Sequence, residues 1–121
     1  KKVPWAATRM TQGDIRKLDF SEQMFDIVID LSTIDHVSTD DLDKVFSEYS
    51  RVLRKDGILL MCVWTDGVFN PEGEWSPDNQ YFFSRDIFLP KFESKFEVIK
   101  NESIFDLDEK KKLLCLVGKK K

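Results

Sequence analysis

The chain has 121 residues, which is room for one domain of modest size rather than two. Its 19 basic and 22 acidic residues leave a formal charge of −3, so it lacks the basic field that drives nucleic-acid binding. Apolar residues make up 41% and charged residues 34%, which excludes a disordered chain and is ordinary for a globular one.

Two strands are predicted in the first quarter of the chain. Residues 8–13 form a short candidate strand that ends at Gly13 and Asp14. Residues 25–31 are continuously apolar and β-branched at their centre, as expected for a strand covered on both faces.

A helix and another strand follow. Ser38 or Thr39 is the candidate N-cap, and apolar residues at helical spacing run over residues 42–53. Gly57 is where a chain leaving the helix would turn, and residues 58–64 form an apolar strand. Together with residues 25–31, these elements predict a right-handed βαβ unit with parallel strands.

The second half of the chain predicts a loop, a helix and a hairpin. Residues 65–79 are rich in Gly, Pro, Asp and Asn, and this long loop is a candidate functional lid. Residues 84–92 predict a short helix that is bent or ended near Pro90. Residues 96–105 and 111–118 predict two strands joined as an antiparallel hairpin.

No membrane or secretory segment is visible. The longest strongly apolar run, residues 58–64, is far shorter than the roughly 20 residues a membrane helix needs, and residues 1–4 lack a signal-peptide core. Cys62 and Cys115 each lie in an apolar segment, which predicts buried small side chains and argues against a disulfide framework. We therefore expect a cytoplasmic protein without a membrane anchor.

The strand ends predict where a ligand would bind. In an open parallel sheet, ligands bind beyond the carboxyl ends of the strands, which selects residues 13–15, 30–33 and 64–66. A carboxylate there accepts hydrogen bonds from an exocyclic amine or a ribose hydroxyl, and a neighbouring backbone amide donates to a ring nitrogen. This combination would recognise an adenine or a ribose without a metal.

Other kinds of site have little support in the sequence. The single histidine, His36, and two widely separated cysteines make no zinc-ligand cluster. The five glycines do not have the spacing of a phosphate loop or a dinucleotide fingerprint, and no Gly-x-Ser-x-Gly motif is present.

Three segments in fixed order resemble the class I S-adenosylmethionine-dependent methyltransferases. They are Gly-Asp-Ile within residues 12–20, Phe-Asp-Ile-Val within residues 25–30, and Arg-Val-Leu-Arg-Lys-Asp-Gly within residues 47–61. The resemblance implies an α/β, Rossmann-like three-layer sandwich, with a mostly parallel sheet and a C-terminal antiparallel hairpin. It also implies S-adenosylmethionine as the cofactor.

The resemblance also implies roles for particular residues. Asp14 matches the acidic residue that binds the adenine amine, and Ile15 matches the neighbour whose backbone amide faces the ring. Asp30, Leu31 and Ser32 match the segment after the family's fourth strand, which passes the sulfonium region of the cofactor.

Catalytic candidates are Asp30 and His36, either of which would be the base for a proton on the methyl acceptor. A purely structural role also stays open for Asp14, Asp30 and His36. Asp14 would then be a turn residue, Asp30 would cap the following segment, and His36 would be a structural histidine. Trp75 in the long loop is a candidate for an acceptor pocket.

The family's glycine-rich loop and its ribose-binding acidic residue have no counterpart here and would lie upstream of Lys1. Residues 1–121 therefore resemble a single partial domain, the C-terminal part of the fold, incomplete at its N-terminus. The exposed strand edge would pair with the missing part or with another chain. We expect this fragment alone to bind the cofactor weakly or not at all.

The favoured function is methyl transfer from S-adenosylmethionine to an N, O or S atom of a small molecule or a protein. Two alternatives stay open: a non-catalytic methyltransferase-like module that pairs with another chain, and a nicotinamide-dependent Rossmann oxidoreductase. Neither a nucleic acid nor a membrane is favoured as a partner.

Overall fold

A computed structural model of the protein describes residues 10–65, 83–106 and 111–121. Within these ranges the chain forms four strands and two α-helices, and two short 3-10 helices, Ile34–His36 and Thr39–Asp41, precede the first α-helix. The elements are β1 (Phe25–Leu31), α1 (Leu42–Val52), β2 (Leu53–Thr65), α2 (Arg85–Glu93), β3 (Phe96–Asp106) and β4 (Lys111–Lys120).

The four strands form one mixed sheet in the order β1-β2-β4-β3. β1 pairs with β2 in parallel, with Ile29 opposite Leu60, and α1 connects the two strands. β4 pairs antiparallel with both β2 and β3. The predicted βαβ unit and the predicted C-terminal hairpin are therefore confirmed, although only one of the three strand pairs in the described part is parallel.

Both helices pack on the same face of the sheet. The core between the helices and the sheet contains alternate residues of β2 and β4, of which Leu59, Met61 and Leu114 are fully buried. Aromatic rings fill the space between the helices: the Phe46 ring lies edge-on to the Phe88 ring, with 5.3 Å between centroids. α1 and α2 are thus held by one continuous apolar cluster.

The opposite face of the sheet is exposed, which corrects one prediction. β1 was expected to be covered on both faces, but Ile27, Ile29 and Leu31 are 57%, 63% and 63% exposed. The reason is that β1 is an edge strand and that, in the described residues, both helices lie on the other face. We call the surface formed by these three side chains and Leu60 the open face.

The helix boundaries differ from those expected. α1 ends at Val52 rather than near Gly57, and Leu53 already pairs with Phe25. Asp56 adopts a left-handed φ of 62°, and a Cβ on Gly57 would lie 2.8 Å from the Arg54 carbonyl oxygen. The predicted turn at Gly57 therefore exists, but it lies inside the irregular start of β2 rather than at the end of α1.

Neither predicted N-cap acts as one for α1. Ser38 precedes the 3-10 helix Thr39–Asp41, and its side chain makes no capping hydrogen bond to the backbone. Asp41 is the residue that flanks α1, and its side chain does not cap the helix either. The 3-10 helix runs directly into α1, so the chain enters the helix through backbone hydrogen bonds, such as that from the Asp41 amide to the Ser38 carbonyl at 3.0 Å.

Several predictions fall partly or wholly outside the described residues. Of the candidate strand at residues 8–13, residues 10–13 are described and are not a strand. The proposed lid lies outside the described residues apart from Thr65, and so do Asp66 and Trp75.

The second helix is confirmed, and it continues past Pro90 to Glu93 because Phe88 and Phe92, four residues apart, are both buried. In the described part, no helix has the length and apolar character needed to cross a membrane.

Candidate functional site

Asp14 and Arg16 form a local ion pair in the segment that precedes β1. The Asp14 carboxylate accepts hydrogen bonds from the Arg16 backbone amide at 2.9 Å and from its Nη2 at 2.7 Å. This is the geometry of an Asx turn, in which an Asp side chain bonds to the backbone two residues further on. Arg16 also reaches Asp41 at the start of α1, with 3.3 Å between Nη1 and Oδ2.

This arrangement keeps both carboxylates ionised. Hydrogen bonds from the Arg16 side chain lower the pKa of Asp14 from its ordinary 3.8 to about 2. The same guanidinium lowers the pKa of Asp41, with a smaller contribution from Lys44. Asp14 is half exposed, so its charge is available to a ligand as well as to Arg16.

A cleft of about 570 Å³ lies between this segment and the chain that follows β1. We call it the Asp14 cleft. Its walls combine the carboxylates of Asp14 and Asp41, the apolar side chains of Ile15 and Val37, and the imidazole of His36. Small-molecule sites usually have volumes of 300–1,000 Å³ and such a mixture of apolar and polar groups, so the cleft has the character of a ligand site.

His36 is exposed and lies on the wall of this cleft. Its Nδ1 is 3.3 Å from the Thr33 carbonyl oxygen and 3.5 Å from Oδ1 of the fully buried Asp35. A ring that donates from Nδ1 to the Thr33 carbonyl oxygen leaves Nε2 for a ligand.

Asp30 is placed differently, because its carboxylate is 2% exposed and bonded to the protein. Oδ1 accepts hydrogen bonds from the backbone amides of Thr33 at 2.8 Å and Ile34 at 3.4 Å, and Oδ2 accepts one from the Tyr49 hydroxyl. Burial, and then the nearby Asp30 charge, raise the pKa of Tyr49. Asp30 thus closes the turn after β1, and its proposed role as a ligand or base stays a prediction.

Leu31 and Ser32 lie outside the Asp14 cleft. The Leu31 side chain is on the open face. Ser32 has a left-handed φ of 63°, and its amide donates to the Cys62 carbonyl oxygen at 2.9 Å. The structure therefore brings Asp14, Ile15 and His36 together, whereas Asp30, Leu31 and Ser32 are nearby but face other surroundings.

A second, smaller cavity of about 270 Å³ runs along the edge of β1. We call it the β1 groove. It is mainly apolar, and its lining includes Leu18, Phe25, Ile27 and Ile29 together with Asp30. Ile15 lines both the groove and the Asp14 cleft, so the two cavities are neighbours.

The segment that carries Asp14 is held in place by α1, through contacts that the sequence did not reveal. The Leu18 amide donates to Glu48 Oε1 at 2.8 Å. Arg51 donates to the carbonyl oxygens of Leu18 and Phe20, at 2.9 and 2.8 Å. These partners are about 30 residues apart in the chain, so the contacts could not be predicted from the sequence. The one signal there is that Glu48 and Arg51 are three residues apart, which is the spacing of a helical ion pair.

Comparison with known proteins identifies the family. A family model described as a methyltransferase domain matches residues 1–61, half of the chain. The chain therefore belongs to this methyltransferase-domain family. No curated protein matches it.

Solved structures share the fold. The PH0226 protein from Pyrococcus horikoshii OT3 is 20% identical, with a TM-score of 0.72 over 98% of this chain and 64% of that one. The [4+2]-cyclase SpnF is 15% identical, with a TM-score of 0.73 over 91% and 56%. Geranyl diphosphate C-methyltransferase from Streptomyces coelicolor A3(2) is 13% identical, with a TM-score of 0.69 over 90% and 51%. The chain thus spans between half and two thirds of the length of these structures.

The fold is that of the class I S-adenosylmethionine-dependent methyltransferases, and S-adenosylmethionine is the cofactor expected of this class. The Asp14 cleft fits the adenosine part of that molecule. It supplies a charged acceptor in Asp14, apolar side chains in Ile15 and Val37, and sufficient volume.

Proposed function

We propose that the chain is part of an enzyme that transfers a methyl group from S-adenosylmethionine to an N, O or S atom of a small molecule or a protein. The observation that carries this proposal is the Asp14 cleft. It places a carboxylate, an apolar wall and an imidazole beyond the carboxyl end of β1, in a chain of the methyltransferase-domain family.

Asp14 and Ile15 are the residues that would hold the cofactor. The Asp14 carboxylate would accept a hydrogen bond from the exocyclic amine of adenine, and the Ile15 backbone amide would donate to a ring nitrogen. Bound S-adenosylmethionine supplies a methyl group activated by its sulfonium. The protein then has mainly to hold the acceptor close and aligned.

His36 is the better of the two candidate bases. Its Nε2 would take the proton from the acceptor, and its exposed ring lies on the wall of the Asp14 cleft. Asp30 is less suited, because both of its oxygens already accept hydrogen bonds from the protein.

Isothermal titration calorimetry with S-adenosylmethionine on the natural full-length protein tests this assignment. Asp14→Ala should raise the dissociation constant roughly tenfold or more, since it removes a charged hydrogen-bond acceptor. Asp19→Ala, an exposed carboxylate in the same segment, is the matched control and should leave the constant unchanged. An unchanged constant for a folded Asp14→Ala protein would show that Asp14 is structural.

The second candidate function is a non-catalytic module that pairs with another chain. It is favoured by the exposed apolar side chains of Ile27, Ile29 and Leu31 on an edge strand. The name of the neighbour SpnF, a [4+2]-cyclase, also supports the view that this fold is not tied to one activity. The family match favours both of these functions over a nicotinamide-dependent oxidoreductase. A cytoplasmic location stays a prediction.

A further inference from the structure

We propose that Cys62 and Cys115 form a reversible dithiol–disulfide site. The proposal is independent of methyl transfer, because it depends only on the register of β2 and β4. The sequence predicts two separate buried side chains, since each cysteine lies in an apolar segment and 52 residues lie between them. The structure places them next to each other.

Cys62 lies directly opposite Cys115 in the antiparallel pairing of β2 and β4. Opposed residues in such a pair project from the same face of the sheet, with Cα atoms about 4.5–5.5 Å apart. Disulfides join Cα atoms about 4.4–6.8 Å apart, so the Cα separation of an opposed pair lies within the range of a disulfide. The register is regular on both sides, with Met61 opposite Leu116 and Val63 opposite Leu114.

The two cysteines are not bonded to each other, and both are only half-buried. They lie on the side of the sheet opposite the helices, because Met61 and Val63, the neighbours of Cys62 in β2, are the residues that enter the core. Leu60, two residues before Cys62 on the same face, is 37% exposed. A small reagent can therefore approach the pair from the open face.

The surroundings lower the reactivity of the Cys62 thiol in the reduced pair. Burial, followed by its hydrogen bond with Cys115, raises the pKa of Cys62 to about 12. Because the thiolate is the reacting species, Cys62 is a poor first nucleophile at neutral pH.

The reaction is an exchange with a small-molecule disulfide such as oxidised glutathione. The thiolate of one cysteine attacks one glutathione sulfur, the glutathione S–S bond breaks, and one glutathione leaves as its thiolate. The other cysteine then attacks the mixed disulfide, which forms the Cys62–Cys115 bond and releases the second glutathione. The two protein thiol protons end on the two glutathiones, and two protein sulfurs are oxidised as one glutathione disulfide is reduced.

Equilibration of the protein with reduced and oxidised glutathione, followed by acid quenching and intact-mass measurement, tests the site. We expect loss of both thiols together, with a mass lower by two hydrogen atoms and no dimer on a non-reducing gel. The oxidation constant should be roughly tenfold or more higher in buffer than in urea, because the folded sheet holds the thiols together and the unfolded chain does not.

Cys62→Ser and Cys115→Ser are the matched controls, since each leaves one thiol in an otherwise identical sheet. Both should take up a single glutathione and show no loss of hydrogen alone. The proposal is overturned if the parent protein forms only glutathione adducts or dimers. It is also overturned if its oxidation constant is the same in buffer and in urea.

Discussion

Asp14 and Asp30 show how far the surroundings of one residue decide its chemistry. The rule about strand ends predicted a ligand site at both carboxylates, and the family resemblance implied that both contact the cofactor. Asp14 is half exposed and bonded to one guanidinium, whereas Asp30 is buried and bonded to donors of its own chain. The Arg16 partner is two residues away and could have been found in the sequence. The Tyr49 partner of Asp30 is 19 residues away and could not.

The pairing with Arg16 makes a prediction for the titration of Asp14. Carboxyl-carbon NMR should give Asp14 a pKa of about 2 instead of its ordinary 3.8. In Arg16→Ala the pKa should return towards 3.8, because the hydrogen bonds from that side chain are the main cause of the shift. An Asp14 pKa near 3.8 in the parent protein would contradict the pairing.

The same shift sets the pH range in which the ion pair acts on stability. The pKa of Asp14 is lower in the folded state than in an unfolded chain, so the pair stabilises the fold above pH 3.8. That contribution is lost as the pH falls from 3.8 towards about 2. Because both side chains are about half exposed, solvent screening keeps it small.

At the scale of elements, the apolar patterns predicted all four strands and both α-helices of the described residues, but not their boundaries or the two 3-10 helices, and they added a strand at residues 8–13 whose described part is not a strand. Leu53 shows why a boundary was missed. It continues the apolar spacing of α1, but its backbone pairs with Phe25 in the sheet. A buried leucine suits both positions equally, so spacing alone could not separate the end of the helix from the start of the strand.

The contact between α2 and β4 is tight enough to test by adding one methyl group. A Cβ on Gly118 would lie 2.5 Å from Cζ of Phe92 and 2.9 Å from Cβ of Phe96. Phe92 is fully buried and packed against Phe96, so it has no room to move aside. Gly118→Ala should therefore lower the free energy of unfolding by about 1–3 kcal/mol in urea denaturation.

Gly13→Ala is the control for that experiment. A Cβ on Gly13 would have no atom within 4 Å. We expect its effect on the free energy of unfolding to stay within about 0.5 kcal/mol. Equal effects of the two variants would show that packing under α2 is not what restricts Gly118.

At the scale of the whole molecule, the main departure from expectation is the open face. The sequence correctly predicted an apolar β1, but the pattern does not say which element covers it. Ile27, Ile29 and Leu31 satisfy the pattern of a strand buried on both faces, yet one face has no helix against it in the described residues. Which elements pack on the two faces of a strand depends on the rest of the fold, and the spacing of the strand's own residues does not specify those elements.

If the open face is a pairing surface, a charge placed there should weaken self-association. Ile29→Lys puts a cation at a side chain that is 63% exposed, so folding should be little affected. Sedimentation velocity over a range of concentrations should show roughly tenfold weaker association than the parent chain.

Ile99→Lys is the matched control, because Ile99 is 56% exposed on β3, at the other edge of the sheet. It should leave association unchanged. A parent chain that stays monomeric, or equal effects of both lysines, would count against the pairing of two copies of this chain through the open face.

The bonds between α1 and residues 14–20 have a mechanical consequence. Arg16 reaches Asp41 at the start of the helix, while Arg51 holds Phe20 at its end. Residues 14–20 therefore lie along α1 and are attached to it near both of its ends. Any molecule that needs a wider opening beside Asp14 must tilt the whole helix or break one of these two arginine contacts.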